Sequence, residues 1–174
     1  MSAFFLETNP VSHRPFNVLF VCSGNSARSI MAEGILNQIG AGRFVAYSAG
    51  SAPRGEVNPN ALKVLEDLNM PTERARSKSW AEFAAPGAPD LDFVFTVCDV
   101  AAGETCPAWP GRPLVAHWAV EDPVMATGTP EVVLRKFKDV AVILRRRIEL
   151  FTSLPVETLN MLSLKREVEA IGER

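Results

Sequence analysis

Asn17-Val18-Leu19-Phe20-Val21-Cys22-Ser23-Gly24-Asn25-Ser26-Ala27-Arg28-Ser29 decides the fold. Its first part is an apolar run with β-branched and aromatic residues, the pattern of a strand buried on both faces of a parallel sheet. Turn-forming residues follow at once, Ser23 to Ser26. From Arg28 a helical pattern sets in, with Met31, Ile35 and Ile39 on one face and Gly40 as the stop. Strand, loop and helix therefore meet at a Cys-x5-Arg-Ser segment, Cys22 to Ser29. Successive backbone N–H groups in such a loop turn inward on a tetrahedral oxyanion, and the helix dipole favours its negative charge. The candidate oxyanion cradle is Ser23, Gly24, Asn25, Ser26, Ala27 and Arg28. The same field favours the thiolate of Cys22, the nucleophilic form. Arg28 offers a planar fork for two anion oxygens. Ser29 offers a hydroxyl hydrogen bond to the sulfur. Gly24 permits close backbone approach, and Asn25 tolerates a left-handed conformation.

Outward from this segment, Phe44–Ser48 reads as a second strand, Asp92–Cys98 as a third and Leu114–Trp118 as a fourth. Asn58-Pro59 starts a helix with a cap residue and a proline at its first position, and Ala61, Leu62, Leu65 and Leu68 form its apolar stripe. Trp80, Phe83 and Ala84 suggest a shorter helix begun by Ser77 or Ser79. From Pro130 to Phe151, apolar residues keep helical spacing, while Arg135, Lys136, Lys138, Arg145, Arg146 and Arg147 read as a solvated face. Strands separated by helices give an α/β class: a four-stranded parallel sheet flanked by helices. Ligands bind such sheets beyond the carboxyl ends of the strands. Cys22 and Cys98, both ending expected strands, then lie at one functional edge. Residues 1–15 read as an N-terminal arm, 16–151 as the catalytic domain and 152–174 as a helical extension. In the extension, Leu159, Leu162 and Ile171 suggest an amphipathic helix that caps the core or meets a partner chain.

The chain has 174 residues, 47% hydrophobic and 22% charged, with a net charge of -2. That length suffices for a core without disulfides or structural metal. The charge gives no general grip on nucleic acid or an acidic membrane, so neither is an expected partner. No basic start with a long apolar run marks a secretory signal, and no run approaches the ~18 apolar residues of a membrane helix. The expected location is cytoplasmic, where thiols stay reduced. Three cysteines are too few, and odd in number, for a disulfide framework.

Val21 to Ser29 with Met31-Ala32-Glu33-Gly34 resembles the low-molecular-weight protein tyrosine phosphatase superfamily, and most of all the thioredoxin-coupled arsenate reductases within it. Ser48-Ala49-Gly50, Thr96-Val97-Cys98 through Cys106-Pro107, His117-Trp118 and Asp122-Pro123 continue the likeness over about Phe16 to Phe151. The resemblance implies that Cys22 attacks arsenate, for which phosphate or sulfate are analogues, while Asp122 protonates the departing oxygen. Cys98 then attacks Cys22, Cys106 attacks Cys98, and thioredoxin reduces the Cys98–Cys106 disulfide. It implies no bound cofactor beyond that external thiol reductant. The small-residue stretch Asp99–Thr105 between the two later cysteines reads as a mobile loop. In some relatives Asn25, Glu33 and Ser48 steady the loop around potassium with an acidic residue near position 78. Here that position is Lys78, whose ammonium can replace the cation, so no metal is expected.

Two rival functions stand beside this one. A phosphotyrosine phosphatase needs only Cys22, Arg28 and Asp122. Such enzymes follow the acid-proline pair with aromatic residues, whereas Val124-Met125 follow here and Tyr47 is the only tyrosine. A non-catalytic oxyanion-binding module would not be expected to keep all three groups. A zinc site of Cys98, Cys106 and His117 lacks a fourth ligand and a common spacing. His117 reads as a structural hydrogen-bonder.

Overall fold

The computed structural model describes residues 14–103 and 107–174, without the side chains of 100 and 102. Four strands form one parallel sheet: β1 (Phe16–Cys22), β2 (Phe44–Gly50), β3 (Phe93–Thr96) and β4 (Leu114–His117), ordered β2-β1-β3-β4. The register sets Cys22 opposite Gly50 and Val21 opposite Thr96. The helices are α1 (Arg28–Ile39), α2 (Pro59–Asp67), the short α3 (Asp99–Gly103), α4 (Pro130–Thr152) and α5 (Met161–Gly172). The expected α/β class and parallel sheet are therefore present. Asn58 and Thr129 cap α2 and α4 by accepting from backbone N–H groups of their first turns.

β1 is central, so Val18 to Val21 have no exposed surface. This explains an apolar run without alternation. Phe95 stacks on Trp118 at 4.0 Å between centroids, with Phe151 edge-on to both. The Trp118 indole N–H donates to the Val168 carbonyl of α5 at 2.7 Å, so a buried polar group is matched. α5 thus closes the core over β4, through Leu164, Val168 and Ile171.

Several details differ from the sequence reading. Leu162 is 71% exposed, because Leu164 rather than Leu162 shares the inner face with Val168 and Ile171. In α2 Val64 joins Ala61 and Leu65 in the core, while Leu62 and Leu68 are only half-buried. The helix expected near Trp80 is a single 3₁₀ turn capped by Ser79. Arg147 is not on a solvated face: it is buried and donates to the carbonyls of Trp118 (3.0 Å) and Ala119 (2.9 Å). β3 ends at Thr96, two residues before Cys98. The stretch after Cys98 is helical over Asp99–Gly103 instead of a loop. Glu104, Thr105 and Cys106 lie outside the described residues.

Candidate active site

The loop from Cys22 to Ala27 connects β1 to α1 at the carboxyl edge of the sheet. Its carbonyls are held outward by the chain that follows β2. Ser51, Ala52, Arg54 and Asn58 donate backbone N–H bonds to the carbonyls of Cys22, Ser23, Gly24 and Ser26, at 2.9 to 3.3 Å. With the carbonyls fixed outside, the loop amides turn to the concave side. Asn25, at φ 42°, supplies the left-handed kink that continues this turn. Ala27 occupies the cap position of α1 and makes no side-chain cap bond, so no cap side chain competes for the first-turn amides. Gly50 is needed for close approach: a Cβ there would run into the Ser23 carbonyl oxygen and lie 2.9 Å from Asn25 Cβ.

Cys22 Sγ lies 2.9 Å from Ser29 Oγ and accepts from the Asn25 backbone N–H at 3.2 Å. The Asn25 side-chain amide donates to Ser29 Oγ at 2.8 Å, which leaves the Ser29 hydroxyl proton for the sulfur. Two donors aimed at one sulfur stabilise negative charge there. Arg28 reaches across to Asp122 at 3.1 Å and to the Val120 carbonyl at 3.2 Å. Asp122 uses its other oxygen to cap the turn Pro123–Met125 through Val124 N–H. Cys22, the loop residues to Arg28, Ala52, Arg54, Asp122 and Val124 enclose a cavity of about 240 Å³.

Behind the loop, Asn25 Oδ1 accepts from the Lys78 backbone N–H at 2.9 Å. The Lys78 ammonium donates to Ser48 Oγ at 3.3 Å and to the Arg76 carbonyl at 3.0 Å, and stands 3.8 Å from Glu33. Ser48 Oγ donates in turn to Glu33. Burial raises the Glu33 carboxyl above its ordinary range and lowers the Lys78 ammonium below its own. Asn25, Glu33, Ser48 and Lys78 are thus one contiguous cluster. A potassium ion does not fit these residues, because an ammonium already stands among their oxygens.

Cys98 is buried, and its sulfur accepts from Ala101 N–H at 3.3 Å, in the manner of a cap on α3. The Val97 N–H donates to the Val21 carbonyl at 2.8 Å, so the chain before Cys98 still runs beside Cys22. Both thiols are free. His117 is a hydrogen-bonder, 2.7 Å from Thr96 Oγ1 and 2.9 Å from Asp99 Oδ1. Among the described residues no cluster of His, Cys, Asp and Glu could hold a metal. Among the described residues no helix is long and apolar enough to cross a membrane. The segment Ser51 to Arg54 was missed by sequence reasoning; the small residues after Gly50 were its only signal.

The family model for the low molecular weight phosphotyrosine protein phosphatases matches residues 17–166, from β1 into α5. The chain belongs to this family. The arsenate reductase of Halalkalibacterium halodurans is 35% identical over 134 residues, covering 77% of the chain and 93% of that relative. The glutaredoxin arsenate reductase of Synechocystis is 32% identical over 106 residues, 61% of the chain and 77% of the relative. A solved structure titled as an arsenate reductase in the phosphate binding state superposes with a TM-score of 0.65 at 28% identity, covering 79% of the chain and 97% of its own. Arsenate reductases of this family are thus its relatives by sequence and by fold.

Proposed function

We propose that this enzyme reduces arsenate to arsenite. The observation that carries the reading is a second buried thiol, Cys98, at the same sheet edge as the nucleophile Cys22. A phosphatase needs only the first. The cavity wall supports the same choice: among the described residues no aromatic ring lines it, so nothing there grips a phenol.

In the proposed sequence the Cys22 thiolate attacks arsenic and forms an S–As bond. The loop amides and Arg28 hold the oxygens. Asp122, ionised beside Arg28 until the anion arrives, takes a proton from solvent as Arg28 turns to the anion and gives it to the oxygen that departs as water. Cys98 then attacks Cys22 Sγ. The S–S bond forms, the S–As electron pair stays on arsenic, and arsenic(V) becomes arsenic(III). Cys106 attacks Cys98, expels the Cys22 thiolate and leaves a Cys98–Cys106 disulfide for thioredoxin to reduce. The role of Cys106 rests on the family resemblance. The Lys78 ammonium takes the place of a stabilising potassium ion behind the loop. A cytoplasmic location suits a cycle that starts from reduced thiols.

The test supplies arsenate, thioredoxin, thioredoxin reductase and NADPH to wild type, Cys98→Ser and Cys106→Ser. Wild type is expected to consume NADPH, and both variants to lose steady-state turnover while still binding phosphate. Brisk aryl phosphate hydrolysis with no arsenate-dependent NADPH use would refute the reductase reading. Full thioredoxin-coupled turnover by Cys106→Ser would refute the three-cysteine relay.

A further inference from the structure

Arg54 is a second arginine on the wall of the anion cavity. Its backbone N–H is tied to the Gly24 carbonyl at 2.9 Å. Its side chain runs across Gly24: a Cβ at that position would lie 3.2 Å from Arg54 Nε and 3.4 Å from Cγ. The missing side chain at Gly24 thus gives the guanidinium its path along the loop. Among the described residues, no carboxylate or carbonyl pairs with that guanidinium. Arg28, by contrast, is already engaged by Asp122 and the Val120 carbonyl.

The charges of the cavity show what this unpaired arginine does. Its ionisable lining groups are Cys22, Arg28, Arg54 and Asp122. Arg28 and Asp122 cancel. What remains with a neutral thiol is one positive charge, that of Arg54, and with a thiolate none. Without Arg54 the side-chain charge of a thiolate-bearing cavity would be net negative and would work against the loop amides that admit the anion.

We infer that Arg54 is a second oxyanion-binding residue: it captures a doubly charged tetrahedral oxyanion at the cavity and thereby sets affinity rather than turnover. The inference rests on the reading that the Cys22 loop binds an oxyanion, and it adds a residue to that site. Its guanidinium offers charge-assisted hydrogen bonds to outer oxygens that the loop amides do not reach. Because Arg54 is exposed, its pull is screened by salt.

The experiment titrates inorganic phosphate into the intact, reduced protein by calorimetry, at low and at high salt. Arg54→Gln is expected to weaken binding about tenfold at low salt, with the gap closing at high salt, while Arg54→Lys stays near wild type. With arsenate, KM rises by the same factor and kcat holds. Thermal melting, expected to be unchanged in both variants, separates loss of charge from loss of fold. Phosphate binding by Arg54→Gln at wild-type strength overturns the inference, as does an Arg54→Lys variant as weak as Arg54→Gln. If wild type itself binds no phosphate, the oxyanion-site reading fails instead.

Discussion

Replacing Lys78 by Met removes the nearest cation from a largely buried carboxylate, that of Glu33. The two side chains are 6% and 21% exposed and their charges stand 3.8 Å apart. At that distance the gross attraction is about 4 kcal/mol for an effective dielectric constant near 20. Desolvation offsets much of it in the intact pair, but a carboxylate left alone loses the attraction and keeps the cost. Breaking such a pair destabilises by about 3 to 5 kcal/mol. Glu33 has one escape, which is to take up a proton. Its carboxyl is already raised by burial, and Lys78 is the strongest influence opposing that rise. In Lys78→Met it is raised further.

The sign of the pH dependence follows. A carboxyl whose folded-state value lies above its unfolded value binds its proton more tightly in the folded protein. Its stabilising contribution is complete at low pH and is lost as pH climbs through the folded value. Lys78→Met should therefore be nearly as stable as wild type at pH 5. Its deficit then grows by up to about 1.4 kcal/mol per pH unit, until the ionised carboxylate costs about 3 kcal/mol near pH 8. Urea unfolding at the two pH values measures this. Glu33→Gln in the same background should recover most of the loss at pH 8. A deficit that is equal at pH 5 and pH 8, or below about 0.5 kcal/mol at pH 8, would refute the reasoning. Phosphate affinity should fall much less than stability, because Asn25 is held by the backbone N–H of Lys78, which the substitution keeps.

Gly50→Ala drives a methyl group into the Ser23 carbonyl, so phosphate binding by calorimetry should be abolished or weakened by at least about tenfold, at a stability cost of about 1 to 3 kcal/mol. Ser29→Ala removes a donor from Cys22 Sγ and should slow alkylation of Cys22 by iodoacetamide at neutral pH about tenfold; an unchanged rate would mean the hydroxyl does not act on the sulfur. Arg147→Met leaves the Trp118 and Ala119 carbonyls without their donor and should cost about 2 to 4 kcal/mol in urea unfolding, whereas a solvated arginine would cost almost nothing.

The site was legible where local chemistry and chain order coincide. Cys22, Arg28 and Ser29 announce themselves because a buried strand, a turn and a helix start fall within one short segment. The sheet was legible for the same reason: β1 from Val18 onward and β3 are buried on both faces, so all their buried residues but Thr96 are apolar. Helix faces were less so. Arg147 lies among five other basic residues, and its place under the Trp118 and Ala119 carbonyls depends on where the chain after β4 passes α4. Leu162 and Leu164 are two residues apart with the same chemistry, and only the docking of α5 on β4 chooses between them. The stretch after Cys98 resembles a loop in sequence because its small residues form no stripe. Five residues starting from a capping sulfur suffice for a short helix without one.

Arg54 shows most clearly why part of a site stays hidden in a sequence. It lies in Ala52-Pro53-Arg54-Gly55, a turn-like stretch in which an arginine has no distinguishing spacing. Its importance comes from subtraction. The arginine that sequence reasoning finds, Arg28, is neutralised by the acid it finds, Asp122, and both are more than ninety residues apart in the chain. Once they are paired, the side-chain charge left to meet an incoming dianion, beside the loop amides, is that of the residue with no motif at all. The same loop that carries Arg54 also pins the carbonyls of Ser23 and Gly24 outward. One segment after β2 therefore both shapes the cradle and charges its mouth, so displacing that segment should weaken anion binding even with Cys22, Arg28 and Asp122 intact.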